Sequence, residues 1–595
     1  MTSMKKIFRF LPRVFAVAAL LTATSCLEFD DPGDESQMGD IELDDEVFHG
    51  NADKIDYRYV PTQEGFDEAK QALHNYMGQM ISAEYAMRGG KENGFPEAHA
   101  YQYQFSLGVD NYSGYFTAPQ DFDGRLKSTL YVYDSFNSGP NGSYLIVKNA
   151  LVPLLNHPKA DSIPELKAMA LLLLDYSSQE VTDIYGPMPL EDYKANKLEN
   201  PFTYNTMRDI YYNIVDNLDS INACLKHFDE KPEWYQTAFL NIMTNSPCFD
   251  WITKNFSIDS WRQLGNSLKL RMAMHIAYVE PETAQRWAEE AVAAGVVDNL
   301  DGETGLFPTL FGFNNPISTI SSSWNDTRLN ASFESILKSL GHPYADYLWD
   351  KNSDPLVDDN DPSHILPADS MVVGLRAGIR MMSTQVYDTN PRCAYSRVNK
   401  DIINDAPLYL MKLSEVDFLR AEGALRGWNM GGTAEEFYNR GIRYAWLEDR
   451  DAGAPDYQAA MADYMNRAEA IPFTYRDPMN ARYDAESLTH VGVKWNDADD
   501  FETKLEKIIT QKYIAGFPYS FEAWVDLRRT GYPRTFPILN VRDGDRSLSF
   551  GQMIRRMPFP GTTDNNTAAD VAATGLEALG GPDTQATHLW WDVKE

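Results

Sequence analysis

Positive charge is scarce in this chain. Its 595 residues carry 53 Lys and Arg against 86 Asp and Glu, for a formal net charge of −33. Phosphate recognition needs clustered Lys and Arg, so the composition excludes nucleic acid as a partner. It equally excludes docking on an anionic bilayer through a basic patch. Cysteine is scarce too: Cys26, Cys224, Cys248 and Cys393 are the only four, and no two have metal-ligand spacing. Beyond the N-terminus no run approaches the roughly 18 apolar residues of a membrane span. The usual catalytic signatures are missing as well. There is no H-E-x-x-H, no G-x-S-x-G, no phosphate loop and no G-x-G-x-x-G. The ten histidines are scattered, and His275 falls within an apolar helical stretch, where it reads as a packing residue. The acids are too numerous for a glycosidase-like pair to be singled out. Asp358, Asp359, Asn360 and Asp361 lack the spacing and closing Glu of a calcium loop and read as a solvated turn. No catalytic residue, metal or cofactor is therefore expected.

What the chain does have begins at its N-terminus. Lys5, Lys6, Arg9 and Arg13 precede a short apolar stretch over 14–21, which ends in Ala23-Thr24-Ser25-Cys26. The stretch is too short to span a bilayer and has the order of a secretory signal. The cysteine behind small residues resembles a bacterial lipoprotein signal, although Ala23 stands where such signals usually carry Leu. Residues 1–25 are thus expected to be removed and Cys26 to be lipidated. Their loss takes away four positive charges and no acid. Residues 26–46 then hold ten acids and no Lys or Arg. Such a run cannot bury itself, so a tether is expected over 26–60, its acidic start resembling a Bacteroidetes surface-export signal. With Cys26 lipidated an odd three cysteines remain, which leaves open a Cys224–Cys248 disulfide or free buried thiols.

Apolar residues at three- and four-residue steps predict helices over 64–87, 162–183, 204–225, 234–244, 259–278, 281–294, 408–427, 433–446, 501–515 and 521–529. Pro164 in a first turn, the Gly186-Pro187 break and the Thr433…Glu436 capping box mark boundaries. Segments 89–143, 300–328 and the chain after 534 read as loops. Several helices come in pairs with short turns and small internal residues. Such pairs bury their faces by stacking, as tetratricopeptide units do. The fold expected is mainly α: one helical body over 61–595, interrupted by loops too long to be mere connectors.

Aromatic residues are plentiful, with 33 Tyr, 29 Phe and 12 Trp. Two loop clusters stand out, YQYQFSLGVDNYSGYF at 101–116 and FGFNNPISTISSSWND at 311–326. Planar rings among amides and carboxylates suit carbohydrate, whose C–H faces lie on the ring while hydroxyls meet the polar neighbours. Tyr112, Tyr115, Trp324, Asn325 and Asp326 are the candidate ligand-binding residues. The competing reading has these rings anchoring loops to the body.

These stretches, taken in order, resemble the SusD/RagB family of Bacteroidetes outer-membrane nutrient-binding lipoproteins. The resemblance rests on LGVDNYSGYF at 107–116, TDIYGPMP at 182–189, WRQLGNSLKLRMA at 261–273 and WAEEA at 287–291. It continues with LSEV at 413–416, Ala421-Glu422, Gly441-Ile442-Arg443, EAWVDLRRTGYP at 522–533, RMPFP at 556–560 and LWWD at 589–592. It covers nearly the whole mature chain. It implies a tetratricopeptide-like helical fold with a loop-built ligand face, anchorage in the outer membrane and no catalysis. It implies as partners a SusC-like TonB-dependent transporter and an oligosaccharide, the alternative ligand being a peptide. A secreted hydrolase and a purely structural surface protein are the remaining alternatives. Arg271, Arg528 and Arg529 read as ion-pair formers that fix helices. Leu356, in Asp354-Pro355-Leu356, stands where the family often has Arg, so contacts there are expected to differ.

Overall fold

Thr206, Ser257 and Asp500 each accept a backbone N–H from the first turn of the helix that follows, and those helices run Met207–Lys226, Ile258–His275 and Phe501–Gly516. At Thr433 the capping box closes on both sides: Glu436 N–H donates to Thr433 Oγ1 at 3.2 Å, and Thr433 N–H to Glu436 Oε2 at 2.8 Å. In the computed structural model, residues 47–594 are described, apart from 91–93, 120–130, 132–138, 246–249, 344, 353–355, 358–364, 367–370, 380–393, 450–456, 542–544 and 563. The expected signal, Cys26, Cys248, Cys393 and the acidic turn at 358–361 lie outside the described residues.

The helices stack in sequence order. His74–Ala86 packs on Gly139–Asn156, that helix on Pro164–Tyr185, and so on through Met207–Lys226 to Ile258–His275. Pro281–Ala294 and Leu413–Leu425 cover the last of these, and Ala434–Asp449 and Phe501–Gly516 pack on Leu413–Leu425. This is the stacked-pair architecture expected from sequence. The centre of the stack is Pro164–Tyr185, every residue of which is buried. It stops at Gly186, whose φ of +92° favours glycine and where a Cβ would press on Leu589 at 3.2 Å. Gly441 lets Ala434–Asp449 approach its partner, since a Cβ there would lie 2.9 Å from the Phe418 ring.

Polar residues inside the stack are matched to one another. Arg271 Nε and Nη2 meet the two Glu415 oxygens at 2.7 and 3.0 Å. Arg529 meets Glu422 at 2.6 Å and Asp526 at 2.7 Å. Arg271 and Arg529 are thus ion-paired as expected. Arg528 has no ion pair among the described residues: its guanidinium donates to the carbonyls of Asp183 and Arg555 and lies 3.6 Å from the centre of the Trp524 ring. Burial holds its pKa below the ordinary arginine value, to about 10, against the pull of Asp183 and Asp592. His275 is fully buried but does more than pack. Its Nδ1 lies 3.3 Å from Asp183 and its Nε2 3.1 Å from Glu522. Burial alone disfavours the imidazolium, yet the two carboxylates outweigh it and raise the pKa.

Several places depart from the sequence expectations, among them the helix Asn565–Asp570 within a stretch read as loop. The stretch 64–87 breaks at Leu73 into Gln63–Ala72 and His74–Ala86. The start of 408–427 is a strand, Leu408–Met411, paired antiparallel with Thr304–Leu306. Gly139–Asn156 begins inside a segment read as loop. Residues 47–60, expected as tether, lie against the body. There Asn196 donates to the Phe48 carbonyl at 3.1 Å, Asn51 N–H to Asn156 at 2.9 Å, and Lys194 meets Asp53 at 3.1 Å.

Candidate functional site

The first loop cluster turns inward. Val109–Tyr112 is a short helix held against Ser520–Thr530. Its polar residues satisfy the backbone of the same segment: Asn111 donates to the Ser106 carbonyl at 2.9 Å and accepts from Ala118 N–H at 2.7 Å. A loop whose polar groups are paired internally can be buried without cost in lost hydration. Tyr112 and Tyr115 are therefore core residues, 3% and 0% exposed. The Tyr112 ring meets Trp524 at 5.2 Å and Tyr131 at 5.7 Å. The Tyr115 ring meets Tyr513 at 4.5 Å and Phe333 at 5.1 Å, and its hydroxyl donates to the Tyr513 carbonyl. Neither can serve as a sugar platform, and for this cluster the anchoring reading is correct.

The second cluster stays at the surface. Trp324 ends a π-helical turn over Thr319–Ser323, its N–H donating to the Thr319 carbonyl at 3.0 Å. The ring is half-buried and tilted against exposed His99, with 4.5 Å between centroids. Asn325 follows at φ +61°, a left-handed position that asparagine tolerates better than most residues. The Asn325 and Asp326 side chains, expected to face a ligand, both have partners in the protein. Asn325 Oδ1 accepts from Arg328 at 3.3 Å, and Asp326 Oδ2 accepts from Gln102 Nε2 at 2.9 Å.

Beside this pair lies a second half-buried ring group that sequence reasoning did not assemble. Phe95 stacks on Phe313 at 5.4 Å and 15°, and meets Trp251 edge-on at 5.1 Å. Trp251 meets Phe311 at 4.6 Å, and Leu310 next to it is 57% exposed. Asn315 caps the short helix Pro316–Ser318, which packs against Ala98–Tyr101 and so brings the segments of the two ring groups together. Trp251 is held through its backbone N–H, which donates to Glu84 Oε2 at 3.1 Å. Phe311 and Phe313 lie in the cluster at 311–326, and Phe95 stands between Gly94 and Pro96, a turn context that could have marked it. His99 and Trp251 carry no comparable signal. The arrangement is a half-buried aromatic surface whose neighbouring Asn325 and Asp326 are held within the protein. Among the described residues no cluster of His, Cys, Asp or Glu could hold a metal ion.

The SusD-like family, described as Susd and RagB outer membrane lipoprotein, matches residues 56–592. The chain belongs to the SusD-like family. Its members are binding proteins associated with the outer membrane. Among solved structures, a chitin-binding SusD homolog from Flavobacterium johnsoniae is 30% identical, with a TM-score of 0.73 over 88% of this chain and 99% of that one. A SusD-like protein from Bacteroides thetaiotaomicron is 27% identical, with a TM-score of 0.70 over 88% and 99%. A SusD homolog from Bacteroides ovatus is 28% identical, with a TM-score of 0.67 over 87% and 99%. No curated protein matches the chain. Among the described residues of this SusD-like chain no helix is long and apolar enough to cross a membrane.

Proposed function

We propose that this SusD-like protein captures an oligosaccharide at the cell surface and delivers it to a SusC-like TonB-dependent transporter, held to the outer membrane by a lipid on Cys26. The observation that carries the ligand class is the half-buried surface of Trp324 with His99 and of Phe95 with Phe313, aromatic rings that are left partly open to solvent. Sugar C–H faces gain contact and desolvation on such rings. Tyr112 and Tyr115 have no part in it, while Trp324 remains the central platform. Similarity to a chitin-binding homolog makes N-acetylglucosamine oligomers the first ligands to test. Modest affinity suits a protein that must release what it catches.

The test is calorimetry against a panel of chito-oligosaccharides, other soluble glycans and peptides. Binding of a glycan is expected, with Trp324→Ala weakening it at least tenfold while the thermal midpoint stays within a few degrees. Unchanged affinity in Trp324→Ala removes that ring from the site. A panel in which peptides bind and glycans do not replaces the ligand class.

A further inference from the structure

We propose that Gln102 is a positioning residue for ligand capture, acting through Asp326; the inference rests on the aromatic surface being the ligand site. Gln102 is 7% exposed and opens the π-helical turn Gln102–Ser106 directly after Ala98–Tyr101. His99 lies three residues earlier, on the same side of that helical turn. The two residues therefore reach the same loop, 224 positions away in the chain. Gln102 Nε2 donates to Asp326 Oδ2 at 2.9 Å, and His99 lies against Trp324 at 4.5 Å. A neutral donor to a carboxylate is among the stronger hydrogen bonds, and this one is shielded from water on the Gln102 side.

The far side of the loop is pinned as well. Asp326 N–H donates to the Ile320 carbonyl at 2.9 Å. Arg328, itself buried, donates to the Asn325 carbonyl and side chain at 3.3 Å each and to the Thr327 carbonyl at 2.8 Å. Trp324 thus sits on a three-residue turn held at its base by Arg328 and tied across to the His99 helix by Gln102. A ring already fixed in its binding orientation avoids the ordering cost that a mobile tryptophan would incur on binding. In this arrangement Asp326 serves the ligand indirectly, as the acceptor that fixes the turn.

The experiment compares Gln102→Leu, Gln102→Glu and Trp324→Ala with the parent, using an N-acetylglucosamine oligomer and, in parallel, 5-fluorotryptophan NMR of the Trp324 resonance. Gln102→Leu is expected to lower affinity about tenfold and to shift or broaden the Trp324 signal, with the thermal midpoint little changed. Gln102→Glu places two carboxylates at hydrogen-bond distance. It is expected to lose affinity at pH 7.5 and regain it near pH 5, where one carboxyl carries a proton and donates to the other. His99, Glu97 and Arg328 are common to parent and variant, so the ratio of affinities at each pH removes their contribution. A Gln102→Leu variant that keeps the parental affinity and Trp324 signal overturns the inference, as does a Gln102→Glu ratio that is flat with pH. If Trp324→Ala binds like the parent, it is the ligand surface that fails. If Trp324→Ala loses binding while Gln102→Leu does not, only the positioning role fails.

Discussion

Asp110 lies in the loop that carries Tyr112 and Tyr115 into the core, where it is 1% exposed. Burial pushes its carboxyl from the ordinary 3.8 up to about 7, although Ser520 and Ser106 both donate to it. The native chain therefore holds a proton that the unfolded chain releases near pH 4. Its contribution to stability is fully present in acid, declines as pH rises above about 4, and is lost once pH passes about 7. Three decades of proton affinity correspond to about 4 kcal/mol, an upper figure because a relaxing loop admits some water. Asp110→Asn places a neutral amide at the same position, with a donor and an acceptor for the two serines. The variant is expected to gain stability over the parent as pH rises, by about 2 kcal/mol between pH 5 and pH 8. Urea unfolding of both proteins at pH 5, 6.5 and 8 measures this, because every other titrating group is common to the pair. A difference in midpoint that stays flat or shrinks with rising pH would refute the burial argument.

Tyr115→Ala opens a cavity among Tyr513, Phe333 and Phe517 and is expected to cost about 3–5 kcal/mol, read as a lower urea midpoint. Glycan affinity of the fraction that remains folded should match the parent, since the ring is remote from solvent. Arg529→Met leaves Glu422 with Arg426 and Asp526 with Lys512, so the loss is expected near the lower end of the range for breaking a buried pair, about 3 kcal/mol. A thermal midpoint unchanged in that variant would show that the remaining cations suffice.

The helical body was legible where boundaries are chemical. Pro281 and Gly295 fix their helix at the residues read from sequence, and the Thr433 box closes as its side chains require. It was illegible where burial is two-sided. Pro164–Tyr185 contains the acids Asp175, Glu180 and Asp183, all of them buried. Each is matched inside the body: Asp175 with Lys194 at 2.6 Å, Glu180 with Arg88 at 2.9 Å, and Asp183 with Trp591 Nε1 at 2.7 Å. A run of four apolar residues such as Leu408–Met411 reads equally as helix or strand, and only its partner Thr304–Leu306 decides. Gly139–Asn156 hid behind a first turn of Gly, Pro, Asn and Gly, residues that normally end helices.

The two aromatic clusters differ by a criterion that composition does not contain. Both hold rings among Gly, Asn, Ser and Asp, and such loops are usually wet because their backbone needs water. At 107–118 the Asn111 and Asp110 side chains turn back on their own segment and on Ser520, so the need for water disappears and the rings follow the loop inward. At 324–326 Asn325 is held within its own segment by Arg328 and Asp326 by distant Gln102, yet the tryptophan before them is left half outside, its ring against exposed His99. Both loops pair their polar side chains, and what separates them is what the rings meet: Trp524, Tyr513 and Phe333 in the first, exposed His99 in the second. The two loops are held by contacts 224 and 410 residues apart, beyond the reach of local pattern.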